Sequence, residues 1–288
     1  MSGTPLGQWD VAGKADGVTA DPSSGLVIAT VNEDANSALS TINPTSASAA
    51  GAVHRYAYNE PLPHFGGTDA ISVGQGRILI SASAPGTTGQ PAPQPTYPAV
   101  YSVTLDPTTS TATVSPLFDD EATATVADVQ SPQFGHSTTR ALTDPDSNEV
   151  VPIEGPRFSG DVMLTSQGDL GQILVGDVGG QPRLSVLDLT QSVDDTAWPG
   201  TPSGRLYSTD STHVSVDVIT GLFHLGVPVA VATPCGADSA PSTCPAPGYP
   251  ANFLATINPW TGTVRALPVS GPPYVPQGGL AFVPGRSE

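Results

Sequence analysis

The chain has 288 residues, of which 31 are glycine and 31 proline. Residues that interrupt regular structure at this frequency exclude helical bundles, coiled coils and other long-helix architectures, all of which need unbroken runs at helical period. Only 12% of the residues are charged, yet 26 acidic groups against 9 basic ones leave a formal charge of −17, and nucleic acid is excluded as the expected partner because a polyanion would meet net repulsion and find no basic cluster.

In chain order, the first recurring element is a strand start, Asp16-Gly17-Val18-Thr19-Ala20, that returns as Asp69-Ala70-Ile71-Ser72-Val73 and as Asp195-Thr196-Ala197-Trp198. Seven to nine residues after each comes a glycine and a mostly apolar run: Gly25 to Thr30, Gly76 to Ser81 and Gly204 to Thr209, with a further copy at Gly160 to Thr165. These runs are too short for helices and rich in aliphatic and β-branched residues, which predicts strands buried on both faces. The third element is an apolar residue followed by Asx-Pro and a hydroxyl-rich or aromatic-containing turn, at Ile42-Asn43-Pro44, Leu105-Asp106-Pro107 and Ile257-Asn258-Pro259. Proline sets φ while the Asx side chain bonds the backbone ahead of it, so each copy predicts a hairpin. Weaker copies fall at Val186 to Thr190 and Val216 to Gly221.

The order is therefore inner strand, turn, apolar strand, loop, strand, Asx-Pro turn, strand. Such a four-stranded antiparallel meander, repeated every 40 to 60 residues or so, has the content of a β-propeller blade. The expectation is an all-β, single-domain propeller over residues 1–288 with about six blades, five or seven remaining open, and a β-sandwich array as the alternative. Gln277 to Val283 reads as a last inner strand that pairs with N-terminal chain to close the ring. Three stretches read as excursions: residues 82–99 with their proline-rich run, residues 129–157 as a long loop or a degenerate blade, and the loop between Cys235 and Cys244.

That last loop encloses eight small or turn-forming residues. A Cys235–Cys244 disulfide is the expectation and two ordinary loop thiols the alternative; as a disulfide it removes roughly 2 to 3 kcal/mol of chain entropy from the unfolded state. With no apolar run long enough for a membrane span and no leader-like start, the disulfide points to a secreted or extracytoplasmic protein whose signal peptide has been removed.

The segment Ala15-Asp16-Gly17-Val18-Thr19-Ala20-Asp21-Pro22-Ser23-Ser24-Gly25-Leu26-Val27-Ile28-Ala29 resembles the repeat of the NHL, YncE-like and SMP-30/gluconolactonase propellers. At the level of blade pattern the resemblance covers about half of the chain. It implies a propeller fold and, through the gluconolactonase-like members, a divalent metal in the central channel with Asp16 at the position of a ligand.

Blade symmetry adds to this. If Asp16, Asp69 and either Asp194 or Asp195 open equivalent inner strands, they converge on one channel mouth. Clustered carboxylates do not all ionise readily without a cation, and hard oxygen ligands suit Ca²⁺ or Mg²⁺. Alternatively, each Asp merely bonds the backbone of its preceding loop, or the carboxylates are catalytic. His64 lies five residues before Asp69 on a loop at the channel mouth, where it reads either as a base held by that carboxylate or as a loop histidine without a chemical role. Asp144-Pro145-Asp146-Ser147-Asn148-Glu149 begins like a calcium loop, but Glu149 replaces the sharp-turn glycine, so the stretch reads as an Asx-rich surface turn. No phosphate-binding glycine loop and no Gly-x-Ser-x-Gly elbow is present, so no organic cofactor is implied. The sequence thus leads first to a secreted propeller that binds a small ligand or divalent cation in its channel as a binding or scaffold module. The second reading is a metal-dependent hydrolase or lactonase.

Overall fold

The computed structural model describes residues 7–31, 37–48, 51–62, 68–82, 96–210, 212–233, 252–272 and 274–285. His64, Cys235 and Cys244 lie outside the described residues, as does most of the proline-rich excursion.

All regular structure among the described residues is β-strand. The chain opens with an antiparallel meander of β1 (Ala15–Asp21), β2 (Leu26–Val31), β3 (Ala38–Ile42) and β4 (Val53–Tyr58). A second meander follows: β5 (Thr68–Gly74), β6 (Arg77–Ala82), β7 (Pro98–Asp106) and β8 (Thr111–Asp119). Their outermost strands β4 and β8 pair in parallel, with Ala57 opposite Thr111, and their innermost strands β1 and β5 lie side by side, so the eight strands form a nearly closed sheet. Next come a hairpin, β9 (Thr123–Val126) and β10 (Ser137–Thr139), and a third meander, β11 (Pro145–Val150), β12 (Val162–Ser166), β13 (Gly171–Gly176) and β14 (Arg183–Asp188), to whose outer strand β9 adds in parallel. The remaining strands are β15 (Val193–Ala197), β16 (Ser203–Asp210), β17 (Ser215–Leu222), β18 (Val229–Ala232), β19 (Phe253–Ile257), β20 (Val264–Ala266) and β21 (Gln277–Pro284). They divide into a four-stranded sheet in the order β15-β18-β19-β20 and a three-stranded sheet in the order β17-β16-β21.

The apolar runs of β2, β6 and β12 are buried on both faces, as their composition requires, whereas β16 over Gly204 to Thr209 is buried on one face only, and alternate residues serve different layers. On β6, Ile80 packs with Ile28, Leu39 and Tyr101 in the layer between the first two meanders, while Leu79 packs with Leu164 and Ile173 toward the third. On β12 and β13, Met163 and Leu174 turn the other way, to Trp198 and Ile257. On β18, Ala230 and Ala232 join that layer, and Val229 and Val231 face Leu206 of the three-stranded sheet. Burying an aliphatic side chain in such a layer contributes about 1.5–3 kcal/mol, so the sheets stack by the hydrophobic effect acting on both of their faces.

The local turn chemistry follows the expected rule. Asn43, Asp106 and Asn258 each accept, through Oδ1, the backbone N–H two residues ahead, at 3.0, 2.8 and 2.9 Å, and each opens a hairpin. Gly25, Gly76 and Gly160 all take a left-handed φ, of 72°, 75° and 75°, which a side chain rarely adopts.

Several expectations are corrected. Gly204 has no left-handed φ, and its strand is not the second strand of the sheet that Asp195 opens. That place is taken by β18, whose Val-Ala-Val-Ala is buried on both faces. By contrast, β16 carries the exposed Arg205 on one face and belongs to the three-stranded sheet. Among the described residues Gln277 to Val283 does not pair with N-terminal chain: β21 pairs with β16, where Phe282 lies opposite Leu206 and its ring fills the space that a side chain on Gly204 would need. Val216 to Gly221 runs uninterrupted within β17, and β14 leads from Val186 into the next sheet, so neither weak copy forms a hairpin. Of the two readings of residues 129–157 the long loop is excluded, since they contain β10 and β11, and residues 145–149 are strand rather than surface turn.

Candidate functional site

The innermost strands follow one another in space: β1 beside β5, β5 beside β11, β11 beside β15, and β15 beside β21. Thr30 supports the first of these junctions, with its hydroxyl donating to the Asp69 carbonyl at 2.8 Å and accepting from the Gly17 amide at 2.9 Å. Gly17 is required for the close approach, since a Cβ there would stand 2.5 Å from the Asp69 carbonyl oxygen. The Asp-Gly start at residues 16 and 17 therefore has a packing reason.

Together these strands surround a cavity of about 670 Å³. Asp16, Asp69, Asp146, Glu149, Asp194 and Asp195 all line it, and among the described residues no lysine, arginine or histidine does. The four aspartates expected at a channel mouth are thus brought to one cavity, although they span residues 16 to 195.

Their environments differ. Asp16 reaches solvent, with its carboxylate 4.0 Å from the Lys14 ammonium. Asp195 is locked in place: Oδ1 accepts the Ser147 hydroxyl and the Thr196 amide, each at 2.8 Å, and Oδ2 accepts the Leu280 amide. Burial still pushes its carboxyl above the usual range, with these donors opposing. Its partners on β11 and β21 make Asp195 the pin that joins three inner strands. Asp194, the preceding residue, faces Gly278, where any Cβ would stand 3.0 Å from the carboxylate. Burial raises its carboxyl too, and Asp146 lies near enough to shift it. Burial first, and then the charge of Asp194, push Asp146 well above the ordinary carboxylate range. Two neighbouring buried carboxyls do not both ionise readily without a cation. Glu149 is pushed up to about 8 by burial and by the charge of Asp195.

Asn148 completes the site. It is only 5% exposed, its Nδ2 donates a long 3.5 Å bond to the Ala70 carbonyl, and its Oδ1 has no partner. A buried acceptor left unsatisfied costs about 1–3 kcal/mol, and a cation or donor in the cavity would relieve it. The donor set of carboxylates and one amide oxygen is the hard-oxygen set that Ca²⁺ and Mg²⁺ prefer. Among the described residues, no group of three or more histidine, cysteine, aspartate or glutamate side chains is placed to hold a metal ion by itself.

Asp146, Asn148 and Glu149 fall in the stretch that begins like a calcium loop, but its turn composition gives a surface turn where the chain forms a strand on the cavity. The available signal is Gly160: its apolar strand demands an inner strand ahead of it, and counting back past the inserted loop reaches β11. The usual spacing of seven to nine residues is lengthened here to 14 between Asp146 and Gly160.

No protein-family model matches the chain. No curated protein sequence matches it either.

Proposed function

We propose that the chain is a β-propeller binding module of the extracytoplasmic space whose central cavity holds a partly hydrated divalent cation. The propeller reading is supported by the stacking of consecutive sheets through both faces and by the succession of inner strands around one cavity. The site reading is carried by one observation: the Asp146–Asp194 carboxyl pair lies on the same cavity as the buried, unpartnered Oδ1 of Asn148. Asp146, Asp194 and Asn148 would hold the ion, which would supply the positive charge that lets both carboxyls ionise. Asp16 and Asp69 face it from β1 and β5, while Asp195 positions the strands.

The test is thermal denaturation of chelator-treated protein with added CaCl₂ or MgCl₂. A ligand at about 100 times its dissociation constant stabilises by roughly 2.7 kcal/mol, which for a chain of this size corresponds to a rise in Tm of several degrees. Asn148→Leu should abolish the rise. No shift with either ion at 10 mM or so would overturn the reading.

A hydrolase is the second reading, favoured by the volume of the cavity. At about 670 Å³ it has room for a small substrate beside the ion. Turnover of lactones or aryl esters that disappears with EDTA and returns with calcium would support it; no turnover in either state would leave the binding module alone.

A further inference from the structure

A second cavity, of about 470 Å³, lies between β17 and the segment that follows β20, and it shares no lining residue with the acidic one. Its walls mix polar groups, His224 and Thr256 among them, with apolar ones from Ile219, Phe223, Val229, Leu267 and Tyr274. These residues belong to the layer around Leu206 and Leu254, so the pocket is built on the core rather than on a loose surface loop.

The Tyr274 hydroxyl is buried and has no hydrogen-bond partner. Buried hydroxyls without partners are rare, because each forfeits its bond to water and gains nothing in return. Asp217 lines the same pocket, and its negative charge bears on the Tyr274 hydroxyl, adding to the effect of burial in raising its pKa. The two groups have complementary needs. The phenol oxygen offers lone pairs, the carboxylate offers negative charge, and one ammonium group carries enough N–H donors to serve both.

We infer that this pocket binds a small amphipathic amine, with its apolar body against Phe223, Val229 and Leu267 and its ammonium between the Tyr274 hydroxyl and the Asp217 carboxylate. An alcohol would satisfy the tyrosine alone, and a carboxylic acid would be repelled by Asp217 and by the chain's net charge of −17. The apolar walls supply most of the affinity and the two polar groups the selectivity.

The experiment uses the full chain and 2-phenylethylamine as the probe, measured by isothermal titration with calcium present to occupy the acidic cavity. 2-Phenylethanol and 3-phenylpropionate serve as comparators. The expected result is saturable amine binding, at least tenfold tighter than the alcohol, with no binding of the acid. Tyr274→Phe removes only an unbonded hydroxyl, so it should fold with an unchanged or higher Tm while weakening the amine about tenfold. Ser270→Trp, at an exposed rim position, should fill the mouth and abolish binding. Asp146→Asn, in the other cavity, should leave it unchanged. The proposal is overturned if the wild-type chain shows no saturable binding up to 10 mM or so, if Tyr274→Phe binds as well as wild type, or if Asp146→Asn removes the binding instead.

Discussion

The hydroxyl of Ser147 donates to the carboxylate of Asp195 at 2.8 Å, which ties β11 to β15 at the wall of the acidic cavity. Because Asp195 also accepts from Thr196 and from Leu280 on β21, its loss unties three strands at once. Asp195→Ala should cost roughly 3 kcal/mol or more, since it strands several buried donors, whereas Ser147→Ala removes one bond and should cost about 1 kcal/mol. Urea denaturation of the two variants checks this; equal costs would mean that Asp195 is not the hub.

Asp146 is predicted to trade stability for binding. In chelator it is a buried acid facing Asp194, so Asp146→Asn should raise Tm at pH 7.5 by relieving the pair. The same variant should lose the calcium-dependent rise. Differential scanning calorimetry with and without CaCl₂ separates the two effects, and a variant that melts lower in chelator would contradict the repulsion.

The cavity carboxyls also set a pH dependence. Glu149 is pushed to about 8 from its ordinary 4.5, so the folded chain holds this proton more tightly than the unfolded chain does. Its contribution is fully present below about pH 4.5 and is lost as pH rises through 8. Burial moves Asp144, Asp194 and Asp195 in the same direction. Asp210 runs the other way. Burial raises it, but the bonds from the Val275 amide and from His213, with the histidine's charge, outweigh that and hold it at about 2. Its contribution is present above the usual carboxylate range and is lost as pH falls through about 2. In chelator, Tm should therefore decline between pH 5 and pH 9 or so, and Glu149→Gln should flatten that decline. A Tm that climbs over this interval in the wild-type chain would refute the assignment.

Gly17→Ala tests the junction of β1 and β5. The new methyl meets the Asp69 carbonyl oxygen at 2.5 Å and the Ile71 amide nitrogen at 2.9 Å. Both are backbone atoms that cannot swing away. Overpacking of this kind costs about 1–3 kcal/mol. Gly200→Ala, where nothing lies within 4 Å, is the control and should be neutral or slightly stabilising. Equal Tm values for the two variants would show that β1 does not depend on the close approach.

What could be read from the sequence is what depends on neighbours along the chain. Asn43, Asp106 and Asn258 each bond the backbone two residues on, so their hairpins are legible from a few letters. The two-faced burial of β6, β12 and β13 follows from apolar runs that no half-exposed strand would carry. Aspartates 16, 69, 194 and 195 were found because three of the inner strands begin alike, and all four do line one cavity. The tertiary structure decided which strand lies beside which. Both β16 and β18 alternate well enough to follow β15; only β18 is small and apolar on both faces and fits between two packed layers, while β16 pairs with the C-terminal strand. It also decided that a turn-like Asp-Pro-Asp-Ser-Asn becomes an inner strand, and that Asp146 meets Asp194 across 48 positions of sequence. Hydrogen-bond pairing and burial between distant segments are collective outcomes, and no local pattern records them. The composition excluded long-helix architectures, but only the folded chain gathers six carboxyls and an unpartnered amide oxygen around one space.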